Sequence, residues 1–393
     1  MSRSGRGIAL EPVRFVPIAR RLARRRFEPV EPLRQSIHLT KSADGTAIAW
    51  AHAGDGPSLV KAGNWLTHLE YDAKSPIWQH WIRFLADHYR FIRYDERGCG
   101  MSDRNVAELS LDASVQDLEA VIAAARPAEP FVLLGISQGG ATAIRYAVAH
   151  PEKVSHLILY GAYAQGRAKM GDPEAEQAQR ARIALTRTGW GQDNPVYRQL
   201  FTSRFIPAGS DEQLRWFNEL CKITATAEMA ARILEFRLYI DVTELLPQVS
   251  VPTLVLHARG DEAVLPSQGR LLAARTPGAT LVELDSRNHI LLEGEPAWAR
   301  FKEEVLTFTG RAAIPDGGEL FRSLSARESE ILVRIAAGLT NIDIGRELFI
   351  SEKTVRNHVT RIFDKLGVES RSQAIVLAKD HGLLPAKGSG SAR

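Results

Sequence analysis

The sequence predicts an α/β protein: a mostly parallel sheet with helices on both faces, interrupted by a helical insertion and followed by a small all-α domain. Three observations predict it. Between residues 35 and 311 short apolar runs alternate with helical stretches, the pattern of parallel strands joined by crossovers. Residues 165–250 break that rhythm with helical, aromatic-containing sequence too long for a loop, which predicts a cap inserted between two strands. Beyond a Pro/Gly linker at 312–318, the pattern is helical as far as about residue 382.

Residues 1–34 hold nine arginines against three acids and include the run Arg20-Arg21-Leu22-Ala23-Arg24-Arg25-Arg26. They read as a poorly ordered or loosely docked arm. A transit peptide is opposed by Glu11, Glu28 and Glu31 and by the scarcity of serine. Residues 35–40 and 46–53 read as strands around the turn Ala43-Asp44-Gly45. Apolar runs at 58–61, 90–94, 131–135, 156–160, 253–257 and 280–284 supply further strands, with helices at 114–125 and 141–149 between them. The helical C-terminal domain spans 319–382. The tail 383–393, with Lys387-Gly388-Ser389-Gly390-Ser391, reads as disordered.

Composition narrows the function classes. At 393 residues, 45% hydrophobic and 24% charged, the chain is not collagen-like, coiled-coil or wholly disordered. That length calls for more than one core. No run of about 18 apolar residues occurs, so no membrane span is expected. Two cysteines, Cys99 and Cys221, are too few for a disulfide framework, and a reducing, cytoplasmic setting is expected. The net charge of +4 divides into +6 over residues 1–34, −5 over 35–317 and +3 over 318–393. Basic ends on an acidic body permit a nucleic-acid partner.

The strongest chemical signal is Gly135-Ile136-Ser137-Gln138-Gly139, which follows the apolar strand Phe131-Val132-Leu133-Leu134 and precedes a helical run. Glycines let the chain turn sharply from strand to helix and present the Ser137 hydroxyl at the sheet edge. The helix start and the free N–H of Gln138 suit an oxyanion. A serine nucleophile needs a base, and the base an orienting acid. Asp261 follows the strand at 253–257, and His289 follows the strand at 280–284. The order Ser137, Asp261, His289 puts acid and base on successive strand-end loops. Asp285, only four residues before His289, is the rival acid.

On these motifs residues 35–310 resemble the α/β-hydrolase family, close to its epoxide-hydrolase and lactonase-like branch. Asp95-Glu96-Arg97-Gly98-Cys99-Gly100-Met101-Ser102 is similar to that branch's D-x-R-G-x-G-x-S turn, whose role is mainly structural. Serine at the elbow implies an esterase, lactonase or related acyl hydrolase rather than a dehalogenase or epoxide hydrolase. The family usually shows His-Gly after the third strand, where this chain has Ala62-Gly63-Asn64-Trp65. A backbone oxyanion donor can still come from Asn64 or Trp65. No H-E-x-x-H, P-loop or dinucleotide fingerprint appears, so neither a metal nor a cofactor is expected.

In the C-terminal domain Ser325 and Glu328 form a capping box, and residues 331, 332, 335 and 336 stripe one helix face before Gly338. A second helix is predicted over 341–348, and a third, capped by Ser351, over 352–366. On the third helix Val355, Val359, Ile362 and Leu366 share one face. Lys353, Arg356, Asn357, Thr360 and Arg361 share the other, the arrangement of a helix-turn-helix reader. The segment resembles the LuxR/GerE-type DNA-binding domain through Leu324-Ser325-x-Arg327-Glu328-x-Glu330, Gly338-Leu339-Thr340-Asn341-x-x-Ile344, Ile350-Ser351-x-x-Thr354-Val355-Arg356-x-His358 and Lys365-Leu366-Gly367-Val368-x-x-Arg371. That resemblance implies double-stranded DNA as partner and a homodimer joined through a fourth helix at about 371–379. The DNA-contact candidates are Lys353, Thr354, Arg356, Asn357, Thr360 and Arg361. Arg356 stands where the family more often has Lys, which keeps the charge and adds a fork.

Together these readings describe a transcriptional regulator whose first domain binds and cleaves a small ester, lactone or related acyl compound. Two alternatives stand beside it: a non-catalytic ligand sensor on the same fold, and a serine hydrolase whose helical C-terminal domain is only a docking module.

Overall fold

A computed structural model describes residues 34–311, 321, 324–348, 350–368 and 370–380. The arginine-rich arm (apart from Arg34), the linker at 312–318 and the tail at 383–393 lie outside the described residues.

Eight strands form one sheet: β1 Ser36–Lys41, β2 Ala47–Ala53, β3 Ser58–Lys61, β4 Arg90–Tyr94, β5 Phe131–Ile136, β6 Val154–Tyr160, β7 Thr253–Ala258 and β8 Thr280–Leu284. Their spatial order is β1-β2-β4-β3-β5-β6-β7-β8. The β1–β2 and β2–β4 pairs are antiparallel, and every later pair is parallel. Central β5 is buried along its whole length, with Leu133 opposite Val60 on one side and Leu157 on the other. This is why 131–136 reads as a continuous apolar run, whereas edge strand β1 exposes Leu39.

The crossover helices are α1 Leu69–Asp72, α2 Gln79–His88, α3 Leu111–Ala125, α4 Gly139–Ala149, α9 Pro266–Arg275 and α10 Pro296–Phe308. Between β6 and β7 four more run in sequence: α5 Pro173–Gly189, α6 Val196–Phe205, α7 Asp211–Thr224 and α8 Ala227–Leu238. One core of the sheet lies between the strands and helices α3, α4 and α9, where Leu118, Ile144, Leu159 and Leu272 are fully buried. Each such side chain contributes about 1.5–3 kcal/mol relative to an exposed one.

The turn after β4 is structural. The Asp95 carboxylate accepts the backbone N–H groups of Leu69 and Met101, at 3.1 and 2.9 Å. Arg97 is buried and forks onto Asp117, at 2.8 and 2.6 Å. Paired this way, the guanidinium locks the turn to α3.

The C-terminal domain consists of α11 Ala326–Ala336, α12 Asn341–Leu348, α13 Glu352–Leu366 and α14 Arg371–Asp380. Ser325 and Glu328 close the capping box on α11. Ile331, Leu332, Ile335, Ile344, Val355, Ile362 and Ala374 form its core. Glu328 also accepts Lys365 Nζ at 2.7 Å, which ties α11 to α13. Among the described residues no helix is long and apolar enough to cross a membrane.

Candidate functional site

Ser137 occupies the turn between β5 and α4 with φ +53°, a left-handed conformation that costs a non-glycine residue about 1–3 kcal/mol. The turn is held from both sides: Ser137 N donates to Tyr160 O at 3.0 Å and Ser137 O accepts from Gly140 N at 3.1 Å. Glycine at 139 is required by close approach, because a Cβ there would stand 2.8 Å from Gly63 O and 3.5 Å from Asn64 Cβ. The loop after β3 is thereby pressed against the start of α4. Asn64 and Trp65 are both buried in that loop.

Asp261 and His289 come together from the loops after β7 and β8. His289 Nδ1 lies 2.6 Å from Asp261 Oδ2. The other carboxylate oxygen accepts the N–H groups of Ala263 and Val264, at 2.8 and 2.9 Å. Asp285, the rival acid, is exposed. With Nδ1 donating to Asp261, the imidazole leaves Nε2 as its acceptor. That Nε2 is buried and has no hydrogen-bond partner among the described residues. Gly161 marks where these loops meet the serine turn. At φ +53° it follows Tyr160, and a Cβ on it would lie 2.9 Å from His289 Cε1.

The backbone of His289 is fixed on several sides. Its N–H and that of Ile290 donate to Phe205 O at the end of α6, at 2.8 and 3.2 Å. Its carbonyl accepts from Tyr160 Oη at 2.8 Å. Beneath it Glu295 accepts from Asn288 Nδ2 and Leu292 N, and Asn288 Oδ1 accepts from Ala208 N at 3.0 Å. The insertion between β6 and β7 thus supplies part of the scaffold that holds the imidazole.

A cavity opens above Ser137. Ser137 and Gln138 line its floor, and Tyr197, Phe201 and Phe205 from the insertion line its walls. Trp190 and Phe217 pack inside the insertion instead. Asn64 and Trp65 stand beside the turn without lining the cavity. The Trp65 ring stacks on Trp190 at 5.2 Å, with the Arg237 guanidinium 4.8 Å above it.

Several groups at the site carry no sequence signal. Glu96, the variable residue of the turn after β4, accepts from Gln138 Nε2 at 3.2 Å and from Arg237 Nη2 at 2.8 Å. Burial pushes its carboxyl above the usual range, and Arg237 opposes that rise. His257, at the end of β7, lies 3.5 Å from Asp261 and donates from Nε2 to Val264 O at 3.0 Å. Burial lowers its basicity. Arg167, Arg182, Arg204 and Arg237 face the cavity from four different elements, so no spacing in the chain relates them.

On α13, Val355, Val359, Ile362 and Leu366 are buried, while Lys353, Arg356, Asn357, Thr360 and Arg361 are exposed. Thr354 is half-buried, and its hydroxyl pairs with that of the capping Ser351 at 2.8 Å. Arg356 is engaged with Glu352 at 2.6 Å. Arg371 donates to Asn341 Oδ1 at 3.0 Å, holding α14 to the start of α12.

Residues 71–296 match the family described as alpha/beta hydrolase fold. Residues 322–378 match bacterial regulatory proteins of the luxR family. The chain is similar to 3-oxoadipate enol-lactonase 2 of Acinetobacter baylyi, at 27% identity over 270 residues, 68% of this chain and 96% of that protein. It is also similar to the transcriptional regulatory protein LiaR of Bacillus subtilis, at 47% identity over 79 residues, 20% of this chain and 35% of LiaR. Only about a third of that relative's length is matched. An esterase from Exiguobacterium antarcticum shares the fold with a TM-score of 0.59 at 24% identity, covering 69% of this chain and 98% of that one.

Proposed function

The chain belongs to the α/β-hydrolase fold family and carries a LuxR-family domain toward its C-terminal end, and on that premise we propose that it is a ligand-responsive transcription regulator whose hydrolase domain cleaves a small ester or lactone. The observation that carries the reading is the His289–Asp261 bond, with His289 Nε2 unpartnered among the described residues, together with a strained Ser137 that lines a cavity. In this reading Ser137 Oγ attacks the substrate carbonyl while His289 Nε2 takes its proton. Asp261 holds the tautomer and stabilises the imidazolium that forms. The N–H of Gln138 and one from the Asn64–Trp65 loop bind the oxyanion. His289 then returns the proton to the leaving alcohol, and water, activated by the same imidazole, releases the acyl group from Ser137. The name of the enol-lactonase relative accords with a lactone or ester substrate.

The DNA-reading part of the proposal rests on α13. Arg356 and Asn357 suit base edges in the major groove, and Lys353, Thr360 and Arg361 suit phosphates. Thr354 sits at the start of the same helix, where it supports the cap. Binding as a homodimer calls for a two-fold operator with half-sites about one helical turn apart.

The test uses the full-length protein with p-nitrophenyl butyrate and with its own upstream DNA. Ester turnover that disappears in Ser137→Ala, together with a gel shift on that DNA, is the expected result. Binding of small ligands without any turnover replaces the hydrolase with a sensor. No preference over random DNA, with or without ligand, reduces the C-terminal domain to a docking module.

A further inference from the structure

The cavity above Ser137 has an unusual electrostatic lining. Arg167, Arg182, Arg204 and Arg237 all face it, and among the described residues no Asp or Glu lines it. Arg237 is neutralised there by Glu96. The other three lack an ion-pair partner among the described residues. Arg182 Nε donates to the neutral amide of Gln179 at 2.9 Å. Arg204 donates to the backbone carbonyl of Glu262, whose own side chain is exposed. The Arg167 side chain has neither a hydrogen-bond nor an ion-pair partner among the described residues. The buried Asp261 carboxylate, which also acts on Arg204, is committed to His289.

Holding these groups together is unfavourable in the empty protein. Burial and repulsion from Arg182 and Arg167 push the Arg204 guanidinium down to about 10. Burial, with repulsion from Arg167, lowers that of Arg182 as well. Core packing does not explain the cluster, because the three residues border open space. The overall charge does not explain it either, since residues 35–317 carry a net −5. A guanidinium fork without a carboxylate partner is a preformed receptor for an oxyanion.

We infer that the occupant of this cavity is an anionic acyl compound, a small ester or lactone with an oxyanion at its far end, bound by Arg167, Arg182 and Arg204 while its acyl carbonyl faces Ser137. These arginines come from three pieces of the insertion: the turn Arg167–Lys169, α5 and α6. One anion therefore ties all three to each other. α6 also ends on the His289 loop, where Phe205 O accepts the backbone N–H groups of His289 and Ile290.

The ester half of this inference rests on the hydrolase reading above, and the anion half does not. The experiment separates them with the full-length protein. Turnover is measured for p-nitrophenyl hydrogen adipate and for its methyl ester, which differ only in the terminal charge. Thermal unfolding is followed with adipate, dimethyl adipate or inorganic phosphate. The free acid should exceed the methyl ester in kcat/KM by about tenfold or more, the effect of at least one charge-assisted hydrogen bond. Adipate should raise Tm and dimethyl adipate should not. In Arg182→Gln/Arg204→Gln the ratio should fall toward one and the Tm rise should vanish. A rise with adipate alone assigns a carboxylate end, and an equal rise with phosphate assigns a phosphate end. If no ester is turned over but the charge-selective Tm rise persists, the hydrolase reading fails and the anion site stands. A wild-type ratio near one, with no Tm rise from either anion, overturns the inference whether or not the double variant folds.

Discussion

The two ends of this chain solve opposite recognition problems. In the hydrolase domain the candidate groups are hidden: Ser137 is 8% exposed, and Asp261 and His289 are each 2% exposed. They arrive from three loops: Ser137 and His289 are clamped by backbone partners far away in the chain, and Asp261 by its own loop and by His289. On α13 the candidates Lys353, Arg356, Asn357, Thr360 and Arg361 fall within nine residues of one helix and are all exposed. Only the opposite face of that helix is built into a core. A group that must transfer a proton to one small molecule needs fixed geometry and exclusion of water. A group that must reach a polymer needs a protruding surface and side chains free to exchange partners, as Arg356 can exchange Glu352 for a base or phosphate.

The contrast predicts very different sensitivities, and the largest lie in the buried site. Ser137→Ala or His289→Ala should lower kcat for an activated ester by about 10⁴- to 10⁶-fold. The same variants should leave DNA affinity of the ligand-free protein within error. A comparable loss of DNA binding would show that the two ends do not work by separate physics. Asp261→Asn should cost about 10⁴-fold in kcat, because the amide no longer fixes the tautomer of His289. Asp285→Asn should be silent in the same assay, since that carboxylate faces solvent. The reverse pattern breaks the assignment of the acid.

Effects on the exposed helix should be smaller and graded. Arg356→Ala should cost about 1–3 kcal/mol at one base position and relax specificity there. Lys353→Ala should weaken all sequences alike and reduce the slope of log affinity against log salt by about one. Footprinting and gel shifts over a salt series separate the two. Equal losses on specific and random DNA from Arg356→Ala would move that residue to the phosphate class.

The smallest effect concerns the scaffold beneath that helix. The Lys365 ammonium, helped by the Ser325 N–H, holds the Glu328 carboxyl down at about 2, against an ordinary 4.5. A depressed carboxyl stabilises the fold above its unfolded value and loses that contribution as pH falls through the folded one. Glu328→Gln keeps the capping box but loses the ion pair with Lys365, and should cost about 1 kcal/mol or less at neutral pH. The difference from wild type should shrink between pH 4.5 and about 2. A gap that stays constant over that window would mean the cost is packing rather than charge.

These regions were also unequally legible. The C-terminal helices 341–348 and 352–366 have the bounds expected from periodicity and capping, because caps and amphipathic faces are local properties. Strands 90–94 and 280–284 likewise carry their own apolar signal. The helix at Leu111–Ala125 begins three residues before the expected start, since the Ser110 hydroxyl caps it through Ala113 N. In the insertion the aromatics gave the helical character correctly, yet Trp190 and Phe217 are interior while Phe201 and Phe205 face the cavity. Composition does not distinguish those fates.

By itself the sequence determined the order of elements, the turn at Ser137, the candidates Asp261 and His289 on the last two strand-end loops, and the outward face of α13. Each of these depends on residues that are near neighbours in the chain or on a motif with a local geometry. Tertiary structure alone decided that Glu96 reaches Gln138 and Arg237. It also decided that three arginines from separate pieces of the insertion share one cavity. Such meetings depend on how helices and loops pack across the sheet, at distances in space that the spacing of residues along the chain does not encode.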